Sequence, residues 1–296
     1  MDPTRQSPAL APAPRTLRPA LYTAAALVGF AANSLLGRAA LGAQHMDAAS
    51  FTSIRLGAGA VVLSLLAWRA PFAGTRQDRS PRGSWPAAVA LFVYAAAFSF
   101  AYLRLSAGAG ALILFAAVQA TMIGWGMVIG HERPRPTEWL GMIVALGGMG
   151  VLAAPGLSAH DPIGIALITL SGIAWGIYSL LGRGATHPLA VTAANFVRSA
   201  PLAFLLSLYG LSQAHASRAG VALAAASGGI ASGIGYSLWY AALPHIPATR
   251  AAILQLSVPV IAAAGGIVLL GEPITLRLGV ATVFIVVGVG MALVRR

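Results

Sequence analysis

The chain has 296 residues, 58% of them hydrophobic and only 9% charged, with a mean hydropathy of +0.79; soluble domains carry about a quarter charged residues, which excludes a soluble globule. Ten apolar segments of roughly 20 residues would occupy about 200 positions and leave no room for an extramembrane domain. Cysteine is absent, excluding disulfides, thiolate metal sites and thiol catalysis, and the formal charge of +12 rests on 19 basic residues that are all arginine.

Residues 1–18 contain Pro3, Pro8, Pro12 and Pro14 with Arg5, Arg15 and Arg18, a composition that reads as a disordered cytoplasmic tail. This basic stretch and the apolar run from Leu21 to Ala32 mimic a cleaved signal peptide. The segment has a partner later in the chain, however, and is read as the first membrane helix. Apolar runs predict membrane helices at about 19–41, 48–68, 85–104, 107–130, 137–154, 162–182, 189–209, 221–242, 249–270 and 275–294. Between them stand Asp47 as a helix cap, Pro81 and Gly83, Pro134 and Pro136, Pro155 and Gly156, Pro188, Pro244 and Pro247, and Pro273.

Ten spans put both termini on one side, and arginine placement says which. With the N-terminus inside, the inner segments hold 13 arginines, the outer ones hold Arg38, Arg104, Arg218 and Arg277, and Arg55 and Arg198 fall within helices. The positive charge is thus a topology signal and requires no nucleic-acid partner. Trp68, Trp85 and Trp139 fall where helices meet the same inner face, as an aromatic belt requires. All-arginine usage with abundant alanine suggests GC-rich coding and a bacterial source, which places the chain in a bacterial inner (plasma) membrane with cytoplasmic termini.

Ser34-Leu35-Leu36-Gly37-Arg38 in the first helix recurs as Ser179-Leu180-Leu181-Gly182-Arg183 in the sixth. Arg55 then matches Arg198, Ser99 and Tyr102 match Ser237 and Tyr240, Glu132 matches Glu272, and Gly141 matches Gly279, with offsets between 138 and 145. The repeat unit is five helices. Because five is odd, the second copy enters the membrane from the opposite face, giving repeats over 19–154 and 162–294. Inverted repeats of this kind are typical of carriers with a midplane site and alternating access.

The Gly271-Glu272-Pro273 turn, its degenerate copy His131-Glu132-Arg133-Pro134 and the glycine-rich helices after each resemble the drug/metabolite transporter superfamily, EamA type. Within it, the chain is similar to bacterial exporters of aromatic and other amino acids. That resemblance implies an all-α integral membrane fold of ten helices with a central cavity lined largely by helices one, three, four, six, eight and nine. It implies amino acids and related small metabolites as substrates, no cofactor, and function as a monomer in the lipid bilayer. One departure is Gln119, which stands where the second half has Pro259.

The carboxylates all fall at helix ends or in loops, which argues for uncoupled or weakly coupled movement down a solute gradient; His131 or His245 at the membrane edge is the possible exception. Arg55 and Arg198 are the candidate carboxylate anchors, since an intramembrane arginine is costly and usually faces a cavity. A snorkelling guanidinium, or one that satisfies carbonyls between repeats, is the alternative, and a stronger one for Arg38 and Arg183. Glu132, Glu272 and Glu138 read as helix caps. Tyr94, Phe98 and Tyr102 share one face of helix three, and Ser232, Tyr236 and Tyr240 share one face of helix eight. With Trp175 and Tyr178 on helix six, Asn33 as the repeat counterpart of Tyr178, Gln119 on helix four and Gln255 on helix nine, they form the candidate solute cavity; helix–helix hydrogen bonding is the competing role for each. Small-xxx-small glycines read as packing. Neither HExxH, an acidic repeat nor a nucleophilic cysteine supports an enzyme, and no metal site is expected. A drug-efflux or nucleotide-sugar carrier of the same fold is the first alternative; an intramembrane lipid-modifying enzyme and a channel are more remote.

Overall fold

The apolar runs become helices because an apolar medium leaves the backbone no other way to satisfy its polar groups. In the computed structural model, which describes residues 17–41, 44–69, 83–104, 107–131, 133–153, 162–270 and 276–293, the first five are α1 (Leu17–Leu41), α2 (Ala48–Arg69), α3 (Trp85–Ala101), α4 (Ala107–Val128) and α5 (Pro136–Ala153). They are followed by α6 (Pro162–Leu181), α7 (Pro188–Tyr209), α8 (Arg218–Ala226), α9 (Gly235–Ala242), α10 (Ala248–Gln255), α11 (Val258–Leu270) and α12 (Leu276–Leu293). Among the described residues, six helical stretches are long and apolar enough to cross a membrane, and shorter apolar helices accompany them. No strand occurs among the described residues. The Gly271-Glu272-Pro273 turn, Glu132 and nearly all of the proposed tail lie outside them.

Two predicted spans are interrupted. The eighth consists of α8, a wide-turn π-helix over Ser227–Ile234, and α9. It begins at Arg218, earlier than expected, because the Ser217 hydroxyl caps it by accepting from the Gly220 N–H at 3.1 Å. The ninth is broken between α10 and α11, where Leu256 and Ser257 donate to carbonyls only three residues back. Pro259 lies one turn on and has no N–H to return to the Gln255 carbonyl, which accounts for the break.

Polarity runs opposite to a soluble protein. Asn33, Thr52, Arg55, Ser99, Gln119, Ser171, Asn195, Ser232 and Gln255 are all buried, while Val61, Phe204, Leu205 and Val268 are exposed. An apolar exterior around a polar centre is what a bilayer requires. Trp68, Trp85 and Trp139 are exposed at the helix ends, as an interfacial belt demands.

Helix contacts fall into a pattern. The α2 helix packs on α7, α5 on α12, α3 on α6, α1 on α9, α4 on both α6 and α10, and α1 on α11. Ala49 lies against Gly210, Ser53 beside Ser207, and Phe196 against Gly59, so α2 and α7 run antiparallel. Close approach between α2 and the π-helix needs Gly228, where a Cβ would collide with the Arg55 carbonyl. Gly172 serves α6 in the same way against the Leu114 carbonyl of α4.

Each end of the bundle carries one clasp. At the start of α2, Asp47 caps the helix by accepting from the Ser50 N–H at 2.9 Å, as expected, and its other oxygen accepts from the His215 N–H at 3.0 Å. The Asp47 N–H returns a bond to the His215 carbonyl, and Met46 forms an isolated bridge to Ala216. Three crossings further on, at the other end, Glu138 accepts from the Arg135 N–H and from Arg250 Nε, each at 2.9 Å. The first bond is the cap read from the sequence; the ion pair to α10 is additional.

Partial burial pushes the Asp47 carboxyl up, but bonds from the Ser50 side chain and N–H and the His215 N–H outweigh it and hold the group below its ordinary value of 3.8. A depressed carboxyl stabilises the fold above its unfolded value and loses that contribution as pH falls through the lowered one. Thermal unfolding in detergent should therefore show a midpoint that falls as pH is taken from 5 to below about 3.5, with Asp47→Ala abolishing most of that dependence. The same variant should lose about 1 kcal/mol at neutral pH, the usual worth of a cap.

Candidate functional site

At the centre of the bundle α1, α3, α4, α6, α9, α10 and α11 enclose a small cavity with about 40 Å³ of water-accessible volume. Its walls are Phe30, Asn33 and Ser34 from α1, Tyr94 and Phe98 from α3, with Tyr102 at that helix's C-terminus, Leu114 and Phe115 from α4, Trp175 from α6, Tyr236 from α9, Gln255 from α10 and Val258 from α11. Seven of the ten cavity candidates are therefore in its lining: Asn33, Tyr94, Phe98, Tyr102, Trp175, Tyr236 and Gln255. Pockets that hold small molecules run from about 300 Å³ upward, so the space has room for a few waters and no more.

The aromatic rings interlock. Trp175 lies 4.5 Å from Tyr236 and 5.1 Å from both Phe30 and Tyr94, centroid to centroid. Its indole N–H donates to Gln255 Oε1 at 2.6 Å, and the Gln255 amide donates to Met122 Sδ at 3.2 Å. Trp175 is thereby held in one orientation by α10, immediately before the helix break.

The remaining three candidates sit behind the wall. Tyr240 donates to the Tyr178 carbonyl at 2.6 Å, and their rings lie 5.1 Å apart. Gln119 donates to the Ala252 carbonyl and so ties α4 to α10. Asn33 faces the cavity, whereas Tyr178 is packed between Trp175 and Tyr240.

The two intramembrane arginines also part company. Arg198 is half-buried, and its Nη1 donates at 3.2 Å to the Ala194 carbonyl of its own helix. Arg183 likewise satisfies a carbonyl, that of Ile246, at 3.2 Å. Arg55 is 1% exposed and lies behind the cavity wall. Its Nε donates to Ser232 Oγ at 3.1 Å and its Nη2 to the hydroxyls of Tyr236 at 2.7 Å and Tyr94 at 3.2 Å. The guanidinium carbon is 5.3 Å from the Tyr94 ring centroid and 5.7 Å from that of Phe98. Nη1 has no hydrogen-bond partner. Every partner of this cation is neutral. A buried charge without a counter-charge costs several kcal/mol, and hydroxyl dipoles and ring faces recover only part of that.

Asn33 extends the cluster: its amide nitrogen lies 3.5 Å from the Tyr236 hydroxyl and its oxygen accepts from Ser227. Ser227 and Ser232, at the start and within the π-helix, are thus parts of the polar cluster. Among the described residues no group of three His, Asp or Glu side chains is placed to hold a metal ion.

A model of the EamA-like transporter family matches residues 162–294. An uncharacterized protein of Pseudomonas aeruginosa is 49% identical over 280 residues, covering 94% of this chain and 96% of its own. The chain belongs to the EamA-like transporter family. An uncharacterized transporter of Archaeoglobus fulgidus is 28% identical over 174 residues, which are 56% of this chain and 60% of that one. A solved protein structure superposes with a TM-score of 0.75 over 95% of this chain and 98% of its own at 20% identity, a likeness of fold. The protein is therefore a multi-pass membrane transporter of small molecules.

Sequence reasoning missed Phe30, Ser34, Leu114, Phe115 and Val258 in the wall of this transporter's cavity. Two signals existed: Phe30 precedes Asn33 by three residues and Phe115 precedes Gln119 by four, so each shares a helix face with a chosen residue. Gln255→Leu should strand the Trp175 indole N–H in an apolar wall and cost about 1–3 kcal/mol in thermal unfolding. Adding Trp175→Phe to it should recover most of the loss, because the unpaired donor is then gone.

Proposed function

We propose that this transporter exports amino acids, aromatic ones included, and related small metabolites by alternating access, with the central cavity as the solute site. The carrying observation is the cavity itself: aromatic faces and amide groups converge at the bundle centre on a space too small for an amino acid. Admission of a solute then requires helices to move apart, and closure around it expels water. The helix break before Pro259 and the π-helix both adjoin the cavity, where such movement has to occur.

Two five-helix halves of opposite orientation, 19–154 and 162–294, supply two near-equivalent states in this reading. Helix pairing supports it: exchanging the halves turns the α3–α6 contact into that of α1 with α9, and the α4–α6 contact into that of α1 with α11. The partners α2 and α7 run antiparallel, as inversion requires, and the family match over 162–294 has the extent of one half. Arginine asymmetry supports cytoplasmic termini, and the Pseudomonas relative supports a bacterial inner membrane. Function as a monomer completes the proposal.

Counterflow in proteoliposomes tests it. Vesicles loaded with unlabelled phenylalanine, threonine or methionine should take up the labelled counterpart saturably, and chemical alteration of the solute would support an enzyme instead. Tyr102→Ala, Trp175→Ala and Gln255→Ala should each slow exchange at least tenfold at normal expression, with smaller losses for Gln119→Ala and Tyr240→Ala, which act from behind the wall. Normal exchange in all five refutes the site. Because the carboxylates fall at helix ends or in loops and none in the middle of a span, an imposed pH gradient should not drive concentrative uptake.

A further inference from the structure

Arg55 is a full positive charge at the bundle centre, and the seven carboxylates of the chain fall at helix ends or in loops. The two carboxylates described near the helix ends are engaged elsewhere, Asp47 with Ser50 and His215 and Glu138 with Arg250. Arg55 Nη2 donates to the hydroxyls of both Tyr94 and Tyr236, and those hydroxyls lie 3.3 Å from each other. Two phenols that share one hydrogen bond between them leave one phenol proton without a protein acceptor. Tyr94 and Tyr236 both line the cavity, so that proton is available to a solute, and the guanidinium behind it polarises the O–H and makes it a stronger donor.

The opposite charge is unprovided for. The cavity wall contains no acidic side chain, and its amide oxygens are already taken: Gln255 Oε1 by the Trp175 indole, Asn33 Oδ1 by Ser227. An ammonium group would enter a site whose nearest charge is positive and whose amide oxygens are occupied. The body of a solute would meet Phe30, Phe98, Phe115 and Trp175.

We propose that this site selects solutes by a single carboxylate, which accepts from the Tyr94–Tyr236 hydroxyl pair in front of Arg55, and that an amino group on the solute is dispensable. The class is the apolar or aromatic monocarboxylate, with amino acids as the subset that happens to carry an amine. Arg55 acts here as a positioning and charge-supplying residue; Tyr94 and Tyr236 make the contact. The proposal rests on the cavity being the solute site, and it deepens that assignment by naming what the site reads.

Equilibrium binding to the purified full chain in detergent decides it, with three probes of nearly equal size: phenylalanine, 3-phenylpropionate, which lacks the amine, and phenethylamine, which lacks the acid. The expected result is comparable affinity for the first two and at least about tenfold weaker binding of the third, the scale of one charge-assisted hydrogen bond. Arg55→Gln should erase the preference for the acid, while Arg55→Lys, which keeps the charge, and Tyr94→Phe, which leaves the Tyr236 hydroxyl in front of Arg55, should each retain only part of it. Should Arg55→Gln not fold, Tyr94→Phe and Arg55→Lys carry the test, since neither introduces an unpaired buried charge. Phenethylamine binding as well as 3-phenylpropionate, failure of all acids to bind, or full acid preference in Tyr94→Phe would each overturn the proposal. Acid-selective binding without any counterflow of phenylalanine would sink the amino-acid reading and leave this one standing; counterflow of phenylalanine with equal binding of phenethylamine would do the reverse.

Discussion

A positive charge buried behind the cavity wall, with only neutral groups as its partners, constrains the whole centre of this bundle. The guanidinium of Arg55, carried by α2, is held by a serine hydroxyl, two phenols and two ring faces drawn from α3, the π-helix and α9. Four segments must therefore arrive in register before the charge is even partly compensated. Gly228 lets the π-helix touch the Arg55 backbone, and the wide turns of that segment bring Ser227 and Ser232 round to the cluster. A regular helix would not place both serines so.

Irregular backbone at membrane depth is tolerated only where protein or a cavity surrounds it. The π-helix, buried against α2 and α1, and the break between α10 and α11, at the cavity wall, both meet that condition. They are also where two lining residues are fastened, Asn33 to Ser227 of the π-helix and Trp175 to Gln255 before the break. Structural softness and the polar lining thus coincide, while the clasps at Asp47 and at Glu138 close opposite ends of the bundle.

Much of this was legible in the residues. Composition and periodicity yielded the helices within a few residues, because a bilayer leaves so few alternatives. Asp47 was readable as a cap from its place before α2, and most cavity residues from spacing on shared faces. Arg55 and Arg198 looked equivalent, since repeat position and depth are all that a sequence shows; which one finds a carbonyl on its own helix is decided by packing. The π-helix was hidden because its glycines serve close approach equally well in an ordinary helix. Glu138 could be seen as a cap, but its partner Arg250 lies 112 residues away and no local pattern joins them.

The claim beneath all of this is that the aromatic cavity at the centre opens to each side of the membrane in turn. Because the chain has no cysteine, Ser34→Cys introduces a single thiol into the cavity wall. Membrane-impermeant thiol reagents applied to right-side-out and to inverted vesicles should label it in both, more slowly when phenylalanine or 3-phenylpropionate is present. Labelling from one side only, or no labelling from either while exchange continues, would contradict the claim.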